Sequence, residues 1–147
     1  MSLLIVEDDE PFVALMLHSL KPKAYRVAHT INEAFALIDQ EAPDVILLDL
    51  SLPGSRVDDT IGQISELKRR SKDATIIVIT GYPDLKRLQD AATAKGARTV
   101  LSKDNGLFGR LPDEIIKWAN TEKPTSNPIV REIEDTVKRI VAPEQVE

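Results

Sequence analysis

Asp8, Asp9, Asp49, Thr80 and Lys103 are far apart in the chain, yet each stands at or just beyond the end of a short apolar run. Leu3-Leu4-Ile5-Val6 leads into Glu7, Asp8, Asp9 and Glu10, and Val45-Ile46-Leu47-Leu48 leads into Asp49. Ile76-Ile77-Val78-Ile79 leads into Thr80, and Thr99-Val100-Leu101 into Ser102 and Lys103. Brought together, Asp8, Asp9 and Asp49 repel one another unless a cation or a proton intervenes. Hard oxygen donors of this kind suit Mg²⁺, which takes one or two carboxylates and accepts phosphate oxygens. A carboxylate is also a nucleophile toward phosphorus and forms an acyl phosphate. A lysine ammonium and a threonine hydroxyl stabilise the negative oxygens of a phosphoryl group in transfer. Taken singly, each residue has a plainer use. Asp8 and Asp9 are good caps for a helix starting near Pro11, Asp49 precedes a Pro-Gly turn, and a lone lysine is usually solvated. The order of the set along the chain is what points to chemistry.

The elements that would position these residues follow from the hydrophobic pattern. Apolar runs alternate with amphipathic segments up to about Asn120. A helix is expected from Pro11 to Leu20, with Phe12, Leu15, Met16 and Leu20 sharing a face, and Tyr25 to Ala28 alternates as an edge strand would. Thr30 or Asn32 caps a helix whose inner face is Ala34, Phe35, Leu37 and Ile38. A third helix runs through Ile61, Ile64 and Leu67 and closes on Lys68-Arg69-Arg70, where cations favour a helix C-terminus. Pro83 and Asp84 open a fourth helix, and Gly96 suits its left-handed end. A fifth carries Ile115, Ile116 and Trp118. Strands separated by helices imply crossover connections and hence a parallel sheet covered on both faces. The edge-like second run and the fully apolar first, third and fourth favour a doubly wound (βα)5 fold, and they match the known flavodoxin-like order 2-1-3-4-5 without by themselves deriving it. Ligands in such sheets collect beyond the carboxyl ends of the strands, where all the residues above would meet.

Length and composition limit the function. A chain of 147 residues accommodates one compact domain and an appendage. Residues 1–120 read as the domain, 121–127 as a polar linker, and 128–147 as a C-terminal amphipathic helix and tail. The helix has Ile129, Ile133, Val137 and Ile140 on one stripe. That stripe needs a cover, from its own domain, from a second copy in a homodimer, or from a partner. The tail is too short for a DNA-binding or enzymatic output domain, so a single-domain protein is expected. A net charge of −5 argues against direct nucleic-acid binding. No apolar run is long enough to span a membrane, and no signal-like segment opens the chain, so a cytoplasmic location is expected. With no cysteine there is no thiolate chemistry. His18 and His29 have no second imidazole at ligand spacing and read as surface or structural groups.

As an ordered set, Leu4-Ile5-Val6-Glu7-Asp8-Asp9, Asp49-Leu50-Ser51-Leu52-Pro53-Gly54, Ile79-Thr80-Gly81, Lys95-Gly96-Ala97 and Leu101-Ser102-Lys103 resembles the receiver domain of bacterial response regulators. The resemblance covers about residues 1 to 120. It implies that Asp49 is the phosphoacceptor, that Asp8, Asp9, Asp49 and the Ser51 backbone carbonyl hold Mg²⁺, and that Thr80 and Lys103 contact the phosphoryl oxygens. It implies a sensor histidine kinase or histidine phosphotransfer protein as donor and a downstream protein as target, in two-component phosphorelay signalling. On this reading the protein is a switch and not an independent enzyme. Two positions depart from the family. Asp104 follows Lys103 where a proline in a cis peptide is common, and Val100 stands where an aromatic ring usually reports phosphorylation. These departures keep a second reading open, a pseudo-receiver scaffold with altered or absent switching. A Mg²⁺-dependent phosphatase with an aspartyl nucleophile is disfavoured, because such enzymes usually carry a second Asp two residues on, where this chain has Ser51.

Overall fold

The computed structural model describes residues 2–122. Five strands and five helices alternate: β1 (Ser2–Val6), α1 (Glu10–Leu20), β2 (Ala24–Ala28), α2 (Ile31–Gln40), β3 (Val45–Asp49), α3 (Val57–Arg70), β4 (Thr75–Thr80), α4 (Leu85–Ala94), β5 (Thr99–Ser102) and α5 (Leu107–Glu122). All strand pairs are parallel and the sheet order is β2-β1-β3-β4-β5, the doubly wound order expected. The amphipathic segment expected over 128–147 lies outside the described residues.

The sheet divides the core in two because successive strand side chains point to opposite faces. Leu4, Val6, Ile46, Leu48, Ile76 and Val78 pack with Ala34 and Ile38 of α2, Ile61, Ile64 and Leu67 of α3, and Leu88 and Ala92 of α4. Leu3, Ile5, Val45, Leu47, Ile77, Ile79 and Leu101 pack with Val13 and Met16 of α1 and with Leu107, Leu111, Ile115 and Ala119 of α5. Every residue of β3 and β4 is buried, as a strand covered on both faces requires. One expected inward residue is outside: Leu15 is exposed on α1, and Val13 takes its place in the core.

The local signals act as their chemistry dictates. Thr30 accepts the Glu33 N–H and caps α2. Gly96 adopts φ +120° just past α4, the left-handed stop that a residue with a Cβ resists. Pro112 lies inside α5 and has no N–H to give the Phe108 carbonyl four residues earlier. The Ser19 hydroxyl of α1 donates to that carbonyl instead, at 2.6 Å, which ties α1 to α5 across the gap. On α3, Glu66 accepts from Arg69 and Arg70, and these two guanidinium groups hold its carboxyl down to about 2.

Two outcomes follow. Leu48→Ala is expected to cost about 3 kcal/mol in urea unfolding, because the strand is enclosed on both sides, whereas Leu15→Ala should cost less than about 1 kcal/mol. Glu66 has a depressed folded pKa, so its stabilisation is present above the unfolded value of 4.5 and is lost as pH falls through about 2. Glu66→Gln should therefore lower the unfolding midpoint at pH 7 at low salt, and that difference should close as the pH falls from 4.5 toward 2.

Candidate functional site

The carboxyl ends of β1, β3, β4 and β5 converge on one pocket. Glu7 directly follows β1 and is still tied to the sheet, its N–H donating to the Ala28 carbonyl at 2.9 Å. Asp49 is the last residue of β3 and pairs in register with Ile79 of β4, so Thr80 is the next residue along the neighbouring strand. Thr80 is opposite Ser102 of β5, and its carbonyl accepts the Lys103 N–H at 2.8 Å. Parallel register alone thus brings Asp49, Thr80 and Lys103 to one edge.

Charge holds the pocket together. Glu7 is 2% exposed and Asp49 4%, and desolvating two carboxylates is costly without a counterion. Lys103 supplies it, with its Nζ 2.9 Å from Glu7 Oε1 and 3.2 Å from Asp49 Oδ1. The same ammonium lies 4.4 Å from the ring centroid of Phe12, a cation–π contact that favours the charged amine in a half-buried setting. Phe108 packs on Phe12 with centroids 5.2 Å apart. Burial alone would lower the Lys103 pKa, but its hydrogen bond to Glu7 and the charge of Asp49 hold it above the ordinary lysine value. Burial and then the neighbouring Asp49 push the Glu7 carboxyl up to about 7, with Lys103 opposing the rise.

The acidic cluster differs from the sequence expectation in one member. Carboxylate oxygens of Glu7, Asp8 and Asp49 lie within 4.8 Å of one another. The Asp9 side chain instead caps α1, its Oδ1 accepting the Phe12 N–H at 3.2 Å, with Pro11 beginning the first turn. Glu7 takes the inner position because it continues the line of β1, whereas Asp9 is already the residue from which α1 starts. A signal for this was legible in the sequence, since Glu7 is the first acidic residue after the apolar run. The role of Phe12 beneath the lysine was not, because it depends on how α1 crosses the sheet. Glu7 Oε2 also accepts the N–H groups of Asp8 and Asp9, at 3.1 and 3.3 Å, and so shapes the turn that presents Asp8 to solvent. Thr80 Oγ1 accepts the Tyr82 N–H at 3.1 Å and keeps its own proton to donate. Ser51 is exposed just beyond Asp49.

The residues fit a divalent cation. Asp49 Oδ1 is buried and makes no hydrogen bond of good geometry, although Lys103 is close enough for charge attraction. An unsatisfied buried carboxylate oxygen beside two more carboxylates is the donor set a hard cation prefers. Asp104, where a proline was the family norm, leaves a loop with no cis peptide bond among the described residues. Val100 is half-buried against the α2–α3–α4 side of the core, and its N–H donates to Gln89 Oε1 of α4 at 2.9 Å.

A doubly wound sheet with acidic groups and one lysine gathered at the carboxyl ends of its strands places a candidate ligand site where such sheets bind. The chain belongs to the response regulator receiver domain family, whose sequence pattern matches residues 3–111. It is therefore a receiver domain of two-component signalling. Among curated relatives, the photosynthetic apparatus regulatory protein RegA of Rhodovulum sulfidophilum is 32% identical over 106 residues, which cover 69% of this chain and 55% of that protein. RegA of Cereibacter sphaeroides is 31% identical over 130 residues, covering 87% of this chain and 68% of that protein. The chain thus spans about half to two thirds of the length of these relatives. Among solved structures, a response regulator from Burkholderia pseudomallei with a phosphorylated aspartic acid, calcium ion and citrate superimposes with a TM-score of 0.65. It is 25% identical, with 99% of this chain and 86% of that chain covered. No described helix is long and apolar enough to cross a membrane.

Lys103→Met removes the counterion that both buried carboxylates share. In chelator-treated protein it is expected to lower unfolding free energy by about 3 kcal/mol near pH 8. The loss should shrink at pH 5, where Glu7 takes a proton; an equal loss at both pH values would show that packing, and not charge, is what Lys103 contributes.

Proposed function

We propose that Asp49 accepts a phosphoryl group from a phosphohistidine on a sensor kinase or phosphotransfer protein, and that the change at Asp49 switches binding to a downstream protein. The observation that carries this reading is the buried Asp49 carboxylate, with one oxygen lacking a hydrogen bond, set among Glu7, Asp8 and Lys103. An Asp49 oxygen attacks phosphorus, the P–O bond forms as the P–N bond to the donor imidazole breaks, and the imidazole leaves with its electron pair. Lys103 Nζ is already beside Asp49 and turns its N–H groups to the arriving phosphoryl oxygens, while the Thr80 hydroxyl donates to another of them. Because Thr80 also holds the Tyr82 N–H, that donation shifts the 80–82 segment, a local route from the site to the surface.

Mg²⁺ fits the Glu7, Asp8 and Asp49 carboxylates together with the Ser51 carbonyl, and when bound it offsets the charge gathered on the phosphoryl oxygens. Asp9 is reserved for the helix cap in this assignment. The protein acts as a cytoplasmic switch and does not turn over a substrate by itself. The receiver extends to the end of α5 at Glu122, past the boundary at 120 that the sequence suggests, and the amphipathic sequence pattern over 128–147 suits a homodimer contact. A second reading, a scaffold with the fold kept and the switch altered, is favoured by Val100, which has no ring to rotate and whose backbone is tied to Gln89.

Intact-mass spectrometry after incubation with acetyl phosphate and Mg²⁺ separates the two readings. The native chain should gain one phosphoryl group and Asp49→Ala none; a native chain that binds Mg²⁺ but never gains mass would favour the scaffold. In Mg²⁺ titrations, Glu7→Gln and Asp8→Asn should each weaken binding roughly tenfold or more. Asp9→Asn keeps a capping side chain and should leave Mg²⁺ affinity unchanged, while Asp9→Ala should cost about 1 kcal/mol of stability.

A further inference from the structure

The site lysine is carried on a four-residue loop, 103–106, between the last residue of β5 and the first of α5. β5 is an edge strand, so no neighbouring strand holds this loop from outside. Its inner anchor is the Lys103 N–H on the Thr80 carbonyl. Its outer anchor is built from Asp104 and Arg110. The Asp104 carboxylate accepts the Gly106 N–H at 3.0 Å, and its carbonyl accepts the Leu107 N–H at 3.1 Å. Arg110 grips the same carboxylate with both terminal nitrogens, Nη1 to Oδ1 at 2.6 Å and Nη2 to Oδ2 at 3.2 Å. Nη2 also donates to the Ser102 carbonyl at 3.2 Å.

One guanidinium thus joins the residue before Lys103 to the residue after it. A bidentate fork of this kind sets direction as well as distance, which a lysine at 110 would do less well. The packing around the fork leaves little slack: a Cβ at Gly106 would stand 3.3 Å from Arg110 Nη1 and 3.6 Å from Asp104 Oδ1. Asp104 and Arg110 are both substantially exposed, so the pair adds little to global stability. Its effect is local, on a loop that no neighbouring strand flanks among the described residues.

We propose that Asp104 and Arg110 are positioning residues for Lys103, with the Arg110 guanidinium bridging Ser102 and Asp104 to fix the loop that aims the ammonium at Asp49. The assignment of Lys103 to the phosphoryl group rests on the proposed function; the fixing of the loop does not.

The test uses the full chain and the variants Arg110→Ala, Arg110→Lys, Asp104→Ala and Asp104→Asn. Amide hydrogen exchange over 103–107 and the NMR signal of the Lys103 ε-methylene report the loop without any phosphodonor. Exchange at Gly106 and Leu107 should accelerate about tenfold in Arg110→Ala and Asp104→Ala, and the lysine signal should move, while the urea midpoint stays near that of the native chain. Phosphorylation by acetyl phosphate at saturating Mg²⁺ should slow by about tenfold, consistent with a displaced catalytic group. Mg²⁺ affinity should hold, and Arg110→Lys should recover part of the rate. Exchange and lysine signal that match the native chain in the alanine variants overturn the proposal, as does a loss of Mg²⁺ affinity in step with the rate. If the native chain takes up no phosphoryl group, the functional reading fails, and the exchange and NMR data still decide the positioning role. Should Arg110→Ala fail to fold, Asp104→Asn removes the charge while keeping an acceptor for Gly106, and the same readouts apply.

Discussion

Two carboxylates buried beside each other need a positive charge within reach, and in this protein one lysine provides it. Lys103 lies between Glu7 and Asp49 and also rests on the ring of Phe12. Much of the architecture can be read as the means of bringing those groups together. Glu7 directly follows the first strand, Asp49 ends the third, and Lys103 follows the fifth, so the parallel sheet puts them at one edge and the order β1-β3-β4-β5 makes their strands neighbours. The ammonium satisfies the pair partly: Glu7 is hydrogen-bonded, whereas Asp49 Oδ1 is left with charge attraction alone. A pocket left with excess negative charge in this way favours a cation.

The two cores on either side of the sheet have different consequences for the site. The α1–α5 side supplies Phe12, the ring against Lys103, and Phe108, which packs on Phe12. Its helices are joined by the Ser19 hydroxyl, which takes the carbonyl that Pro112 leaves without a helical donor. The α2–α3–α4 side contains Val100 and lies behind Thr80. There the polar link is Gln89 to the Val100 N–H, so α4 is coupled to β5 by a side-chain amide rather than by an aromatic ring.

The likeness to RegA proteins and to a phosphorylated response regulator of known structure agrees with the site without completing it. The identity is modest, 31–32% to the RegA proteins and 25% to the solved regulator. The loop after Lys103 is where this chain goes its own way. An exposed ion pair and a glycine turn do the work of shaping a strand-to-helix passage that a rigid ring would otherwise shape.

The alternation of fully apolar runs with amphipathic segments was enough to determine a parallel sheet with a two-sided core, interior strands one, three and four, and Asp49, Thr80 and Lys103 at strand ends. The full strand order rests on the match to a known doubly wound order. The features read from the alternation depend on periodicity and burial, which are properties of short windows of sequence. Leu15 shows where that reading loses precision, because helical spacing put it on the inner face with Met16 and the structure buries Val13 there instead. The choice between Glu7 and Asp9 as the inner carboxylate was likewise a matter of where the strand stops and the helix begins, a boundary of one or two residues. The Phe12 contact with Lys103, the Ser19 tie and the Arg110 fork join residues distant in sequence or in separate elements. Tertiary structure alone decided these, because directional contacts between elements require both partners to be fixed in space before either side chain has a meaning.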